Sequence, residues 1–169
     1  MLDIDHLILG DTVETVNLES SEDQRRAAAA LVGQARRRVD IFSRDLDKKI
    51  YDYQAFLEAL QALAVNHHGQ IRILVKDSDK AVKYGHRLIP LSQRLTSLIE
   101  IRKVAEDYKE YNEAFLIADE TGYVHRRHAD RFEGITRFNA AKEARELLVF
   151  FNEVWRNSAP DTNLQRIYL

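Results

Sequence analysis

Three stretches of the chain repeat apolar residues every three or four positions, the spacing of one helical face. The first runs from Ser20 and Ser21 to about Arg38, with Ala28, Leu31, Val32 and Ala35 on that face. Glu22 and Asp23 follow its two serines, so a hydroxyl acceptor and negative charge meet the free amides of a helix start. The second opens near Asp52 and aligns Phe56, Leu57, Leu60 and Ala64 before Asn66-His67-His68-Gly69, which reads as a glycine stop. The third follows Asn139, read as its cap, and carries Ala144, Leu147, Leu148, Phe151, Val154 and Trp155.

Short apolar runs separate these helices. Residues 39–43, 71–75 and 99–104 read as buried strands, and 113–118 and 123–127 flank a tight turn, as in a hairpin. Residues 77–88 and 90–98 read as short helices, with Pro90 in the first turn of the second. Two short strands, 7–9 and 13–18, are expected around Gly10-Asp11. The alternation predicts an α/β domain: a mostly parallel or mixed sheet with helices on both faces. The expected division is an extension over 1–19, one domain over 20–157, and a tail or docking segment over 158–169.

Composition narrows the function classes. The chain has 169 residues, enough for one domain with one core. Its net charge of −2 argues against binding DNA through an overall positive field, so any anion site must be a local patch. There is no cysteine, which excludes disulfides and thiolate chemistry and removes the commonest zinc ligand. No apolar run approaches the roughly 20 residues that span a bilayer. Met1-Leu2-Asp3-Ile4-Asp5 carries acids where a secretory leader would be basic. The expectation is a cytoplasmic protein with no cofactor and no metal.

The stretch Tyr111-Asn112-Glu113-Ala114-Phe115-Leu116-Ile117-Ala118-Asp119 is an apolar strand ending in an acid, turned by Glu120-Thr121-Gly122. It resembles the His-x-Lys-x-x-x-x-Asp motif of the phospholipase D-like phosphodiesterases. On that spacing Asp119 matches the acid, Asn112 stands for the histidine and Ala114 for the lysine. A later helix with Phe150-Phe151-x-x-x-Trp155 adds to the resemblance, which covers residues 25–157.

In that family the histidine attacks phosphorus, the lysine neutralises the phosphate oxygens, and the acid orients the histidine. Each active site takes two motifs, so a single-motif chain implies a homodimer with Asn112 and Asp119 together in a cleft near its two-fold axis. An asparagine amide is no nucleophile at phosphorus and Ala114 has no charge. The resemblance therefore implies a catalytically inactive binding or regulatory module for a phosphate-containing ligand, a nucleic acid or a protein partner. Two alternatives stand beside it. One is a phosphodiesterase whose chemistry has moved to His125, His128 or His86; the other is a silent structural subunit of a hetero-complex.

Other clusters can bind. His125, Arg126, Arg127 and His128, with Arg131 and Arg137, form a candidate anion site. Strand alternation would set His125 and Arg127 on one face, and Arg126 and His128 on the other. Ser43, Arg44, Asp45 and Asp77 follow strands and can line a pocket with Tyr111, or serve only as turn formers and caps. His67 and His68 suit a helix end, Arg36-Arg37-Arg38 a solvated one, and Tyr108-Lys109-Glu110-Tyr111 either base stacking or an interface.

Overall fold

The Ser20 hydroxyl opens the first helix by accepting from the Asp23 amide at 3.1 Å. In the computed structural model, which describes residues 2–164, that helix is α1 (Ser21–Gln34) and follows β1 (Thr15–Leu18). Gln24, Ala27, Ala28, Leu31 and Val32 form its buried face. The helix stops at Ala35, which turns extended, so Arg36-Arg37 is an irregular link and Arg38 already starts a strand, rather than a helix end. β2 (Arg38–Ser43), the one-turn α2 (Lys48–Tyr51) and α3 (Gln54–His67) follow. At the end of α3, His68 takes the left-handed conformation (φ 53). Gly69 is needed next for close approach, because a Cβ there would lie 2.5 Å from Leu63 Cδ1.

β3 (Gln70–Val75), α4 (Asp79–Tyr84), α5 (Leu88–Arg94) and β4 (Ile99–Lys103) come next. The chain then forms the hairpin β5 (Ala114–Ala118) and β6 (Gly122–Arg126), then β7 (Gly134–Arg137), α6 (Ala141–Arg156) and β8 (Ala159–Pro160). These strands make one mixed sheet in the order β1-β7-β6-β5-β2-β3-β4-β8. Only β2–β3 and β3–β4 pair in parallel, across the helical crossovers; the hairpin and both edges are antiparallel.

Helices cover both faces of the sheet. α1 and α3 pack on the side carrying Val39, Ile41, Leu116, Ala118 and Val124. α6 packs on the side carrying Phe42, Leu74, Phe115, Ile117 and Tyr123. No helix among the described residues is long and apolar enough to cross a membrane.

Several sequence expectations are corrected here. Residues 2–19 are part of the domain: Ile4, Leu7, Val16 and Leu18 are buried in the main core, and β1 is a sheet edge. Residues 7–9 form no strand. β7 was not expected, because Gly-Ile-Thr-Arg is too short and too polar to stand out. Residues 158–164 dock on the β4 edge through β8, whereas 165–169 lie outside the described residues. Asn139 does not cap α6; its amide donates to Asp11 O at 3.5 Å.

The helix α6 is fixed by a charge that the apolar reading of 39–43 passes over. Asp40 is fully buried on β2 and accepts from Arg72 Nε at 2.7 Å and from Arg38 Nε at 3.1 Å. Arg72 also donates to Asn152 Oδ1 of α6 at 2.8 Å and lies over the Phe151 and Trp155 rings. Burial pulls the Arg72 pKa below its ordinary value, against the opposing pull of Asp40. An ion pair so enclosed favours one placement of the helix over others.

Candidate functional site

The motif strand begins where the parallel strands end. Asn112 is exposed just before β5, and its Oδ1 accepts from Lys76 Nζ at 3.1 Å. The same ammonium donates to Lys109 O at 2.7 Å and Tyr111 O at 2.9 Å, so it pins the segment entering β5. Ala114 is buried and, by strand alternation, faces the α1–α3 side with Leu116 and Ala118.

Directly opposite Ala114 in the hairpin is Arg126. Its guanidinium is buried, ion-paired with Asp47, and bonded to Arg131 O at 3.0 Å and Ala129 O at 3.3 Å. Burial pushes the adjoining Tyr51 phenol up to about 12, against the opposing pull of Arg126. The space beside Ala114 thus holds an arginine already neutralised by its own carboxylate. Arg126 therefore cannot join a surface anion site, contrary to the sequence expectation.

Asp119 lies at the far end of β5, on the order of 20 Å from Asn112 at strand spacing. The two do not share a cleft. Instead Asp119 accepts from the backbone amides of Arg36, Arg37 and Arg38 at 2.8, 2.9 and 3.0 Å. It does so from a left-handed conformation (φ 52), shared by Glu120 (φ 58), within the turn closed by Thr121 N to Ala118 O. The acid has a folding role: it satisfies three successive amides where the chain passes from α1 into β2. Asp119→Ala should cost about 2 kcal/mol, since three charge-assisted bonds vanish from a half-exposed site. A fall in urea midpoint at unchanged slope would show it.

The residues after the parallel strands act as turn chemistry. Ser43 Oγ accepts from Leu46 N at 2.9 Å, Asp45 Oδ1 from Asp47 N at 3.1 Å, and Asp77 Oδ1 from Asp79 N at 2.9 Å. Arg44 lies 3.9 Å from Asp45 in a loose ion pair. Leu46 is buried yet left-handed (φ 67), a conformation that costs a residue with Cβ about 1–2 kcal/mol. Beside this loop is a cavity of about 140 Å³ lined by Asp45, Lys80 and His86 among others.

His86 is part of the scaffold. Its Nε2 donates to Leu46 O at 2.9 Å and its Nδ1 accepts from Leu88 N at 3.1 Å, so both ring nitrogens are satisfied in the neutral form. Burial lowers its pKa from 6.5, opposed by the Leu46 bond. Below pH 6.5 the unfolded chain takes up this proton and the folded chain resists it, so stability falls as pH drops through that value. Thermal unfolding between pH 7.5 and 5.5 should show a falling midpoint, with a shallower fall in His86→Gln.

A larger opening, about 850 Å³, lies on the other face of the sheet, beside α6. Strand alternation sends His125 and Arg127 there while Arg126 points away. His125 Nε2 meets Glu113 Oε1 at 2.6 Å. Tyr111, Phe150, Tyr123 and Leu147 supply aromatic and apolar walls, and the Tyr111 and Phe150 rings lie 4.4 Å apart. Tyr111, expected near the motif pocket, thus belongs to this groove. Burial raises its pKa well beyond the ordinary phenol value, so it stays neutral. His128 and Arg131 border the same groove, whereas Arg137 pairs with Glu143 at 3.3 Å. His67, His68 and the arginines 36 and 37 are exposed and lie outside both openings.

Glu113 and Lys76, with the groove acids Glu133, Glu143 and Glu146, are site residues that the sequence reading missed. Glu113 was legible, because odd positions on both arms of the hairpin share one face. Lys76 was not, since its role depends on a segment more than thirty residues later.

This mixed sheet with helices on both faces is an α/β fold similar to those of phospholipase D family members. The chain belongs to the family described as "Domain of unknown function (DUF7931)", which matches residues 20–167. No curated protein sequence matches it. Among solved structures it is similar to TrmBL2, an archaeal chromatin protein described with a novel mode of DNA binding. That match has a TM-score of 0.64 and 12% identity over 94% of this chain, which spans 57% of that one. It is also similar to Nuc from Salmonella typhimurium, a phospholipase D family member, with a TM-score of 0.58 and 13% identity over 88% of this chain and 99% of that one. A third is NucT from Helicobacter pylori, with a TM-score of 0.57 and 9% identity over 88% of this chain and all of that one. At such identities the likeness shows the fold.

Proposed function

We propose that the protein is a non-catalytic phospholipase D-like module, acting as a homodimer, that binds a phosphate-bearing ligand. The observation that carries this reading is the filled motif site: Ala114 faces a buried Arg126 already paired with Asp47, and Asn112 is tied to Lys76. Neither an attacking imidazole nor a free ammonium remains at those positions. The DNA-binding description of the archaeal chromatin protein supports a binding role for this fold.

Hydrolysis of bis(p-nitrophenyl) phosphate, with and without EDTA, tests the reading. The expected result is no turnover above buffer and no label trapped on histidine. The His125–Glu113 hydrogen bond favours the relocated enzyme as the second reading, because a carboxylate-oriented imidazole can act as a general base. Turnover that disappears in His125→Ala or His128→Ala would establish that reading instead. Sedimentation equilibrium tests the dimer, and a monomer at tens of micromolar would remove that part of the proposal.

A further inference from the structure

We propose that the groove between β6, β7 and α6 binds a nucleoside phosphate, either as a free nucleotide or as the end of a single strand. The inference rests on the reading of a phosphate-binding module and names its site, on the opposite face of the sheet from the motif. The volume of about 850 Å³ falls within the usual range of about 300–1,000 Å³ for small-molecule sites.

The groove is polarised along β6, whose five residues extend roughly 16 Å. At the C-terminal end of β6, Arg127, His128 and Arg131 face Glu133. Neither arginine is ion-paired among the described residues, and Glu113 is occupied by His125. Guanidinium groups suit a terminal phosphate through paired N–H donors. Tyr111 and Phe150, whose rings lie 4.4 Å apart, wall this same end, because the pairing of Ala114 with Arg126 carries Tyr111 past the end of β6, and base–aromatic stacking is worth about 1–3 kcal/mol.

At the other end α6 presents Glu143 and Glu146. Glu143 is taken by Arg137, so Glu146 remains to accept from a base amino group. The same acids disfavour a duplex, whose charged backbone would run past them along the whole groove. A ligand with its anion and its flat ring close together, and a hydrogen-bond donor directed away from both, matches the placement of these groups.

Calorimetric titration of the full chain with 5′-AMP, adenosine, inorganic phosphate, a 5′-phosphorylated single strand and a duplex tests the proposal. The expected result is saturable AMP binding tighter than about 1 mM, weakened about tenfold or more in Arg127→Ala and in Arg131→Ala. Both residues are exposed, so the variants fold, which circular dichroism verifies. Adenosine and phosphate alone should each bind more weakly than AMP. Equal affinity for AMP and the strand assigns the site to a terminal nucleotide, and a preference for AMP assigns it to a free one.

No saturable AMP binding, binding indifferent to both arginine variants, or binding of the duplex alone overturns the inference. The phosphodiester assay on the same samples separates the two claims. Turnover sinks the non-catalytic reading and leaves nucleotide binding to be judged by titration. Absence of both turnover and AMP binding sinks only this site.

Discussion

Placing a histidine and a lysine at the motif spacing, as Asn112→His with Ala114→Lys, yields no phosphodiesterase turnover and destabilises the fold by about 3 kcal/mol or more. Position 114 is 1% exposed and lies directly across from Arg126. A lysine there would set a second buried cation beside a guanidinium whose one carboxylate, Asp47, is already engaged. Like charges in that surrounding repel strongly, and the ammonium has no route to water. A histidine at 112 would meet the Lys76 ammonium, which donates to the present amide and would disfavour an imidazolium. Denaturant unfolding and the bis(p-nitrophenyl) phosphate assay on the double variant check both halves. Turnover above that of the unaltered chain would mean that the site is only silenced, not rebuilt.

Arg126→Met has a still larger expected effect, about 3–5 kcal/mol, because it strands Asp47 and two backbone carbonyls without their donor. The neighbouring Arg127→Met, on the exposed side of the same strand end, should move stability by no more than about 0.5 kcal/mol. Adding Asp47→Leu to Arg126→Met removes the stranded charge and should recover part of the loss. A double-mutant cycle read from urea midpoints measures that coupling. Equal costs for the two arginines would refute the buried ion pair.

The helices were legible where apolar spacing is strong. The Ala28–Leu31–Val32–Ala35, Phe56–Leu57–Leu60–Ala64 and Leu148–Phe151–Val154 faces all pack on the sheet. The apolar runs of β2, β3 and β5 were legible for the same reason. β7 and β8 were not, because four and two residues carry no period; they are strands only through their neighbours. The alternation that splits His125 and Arg127 from Arg126 could be read from the sequence. What each then meets could not, since Asp47 and α6 arrive from distant parts of the chain. Asp119 matched the motif acid by spacing alone, and its amide partners lie some eighty residues earlier. Asp40 was hidden because a lone acid inside Val-Asp-Ile-Phe-Ser does not announce Arg72 and Arg38 as partners.

The pairing of β1 with β7 has a consequence for biosynthesis. Thr15 finds its strand partner in Arg137, and Val16 in Thr136, so the start of the chain waits for residues made more than a hundred positions later. The exit from α1 likewise waits for Asp119. Folding during translation can assemble β2, β3 and their crossover helices early, but β1 finds no sheet partner on the ribosome until the last third emerges.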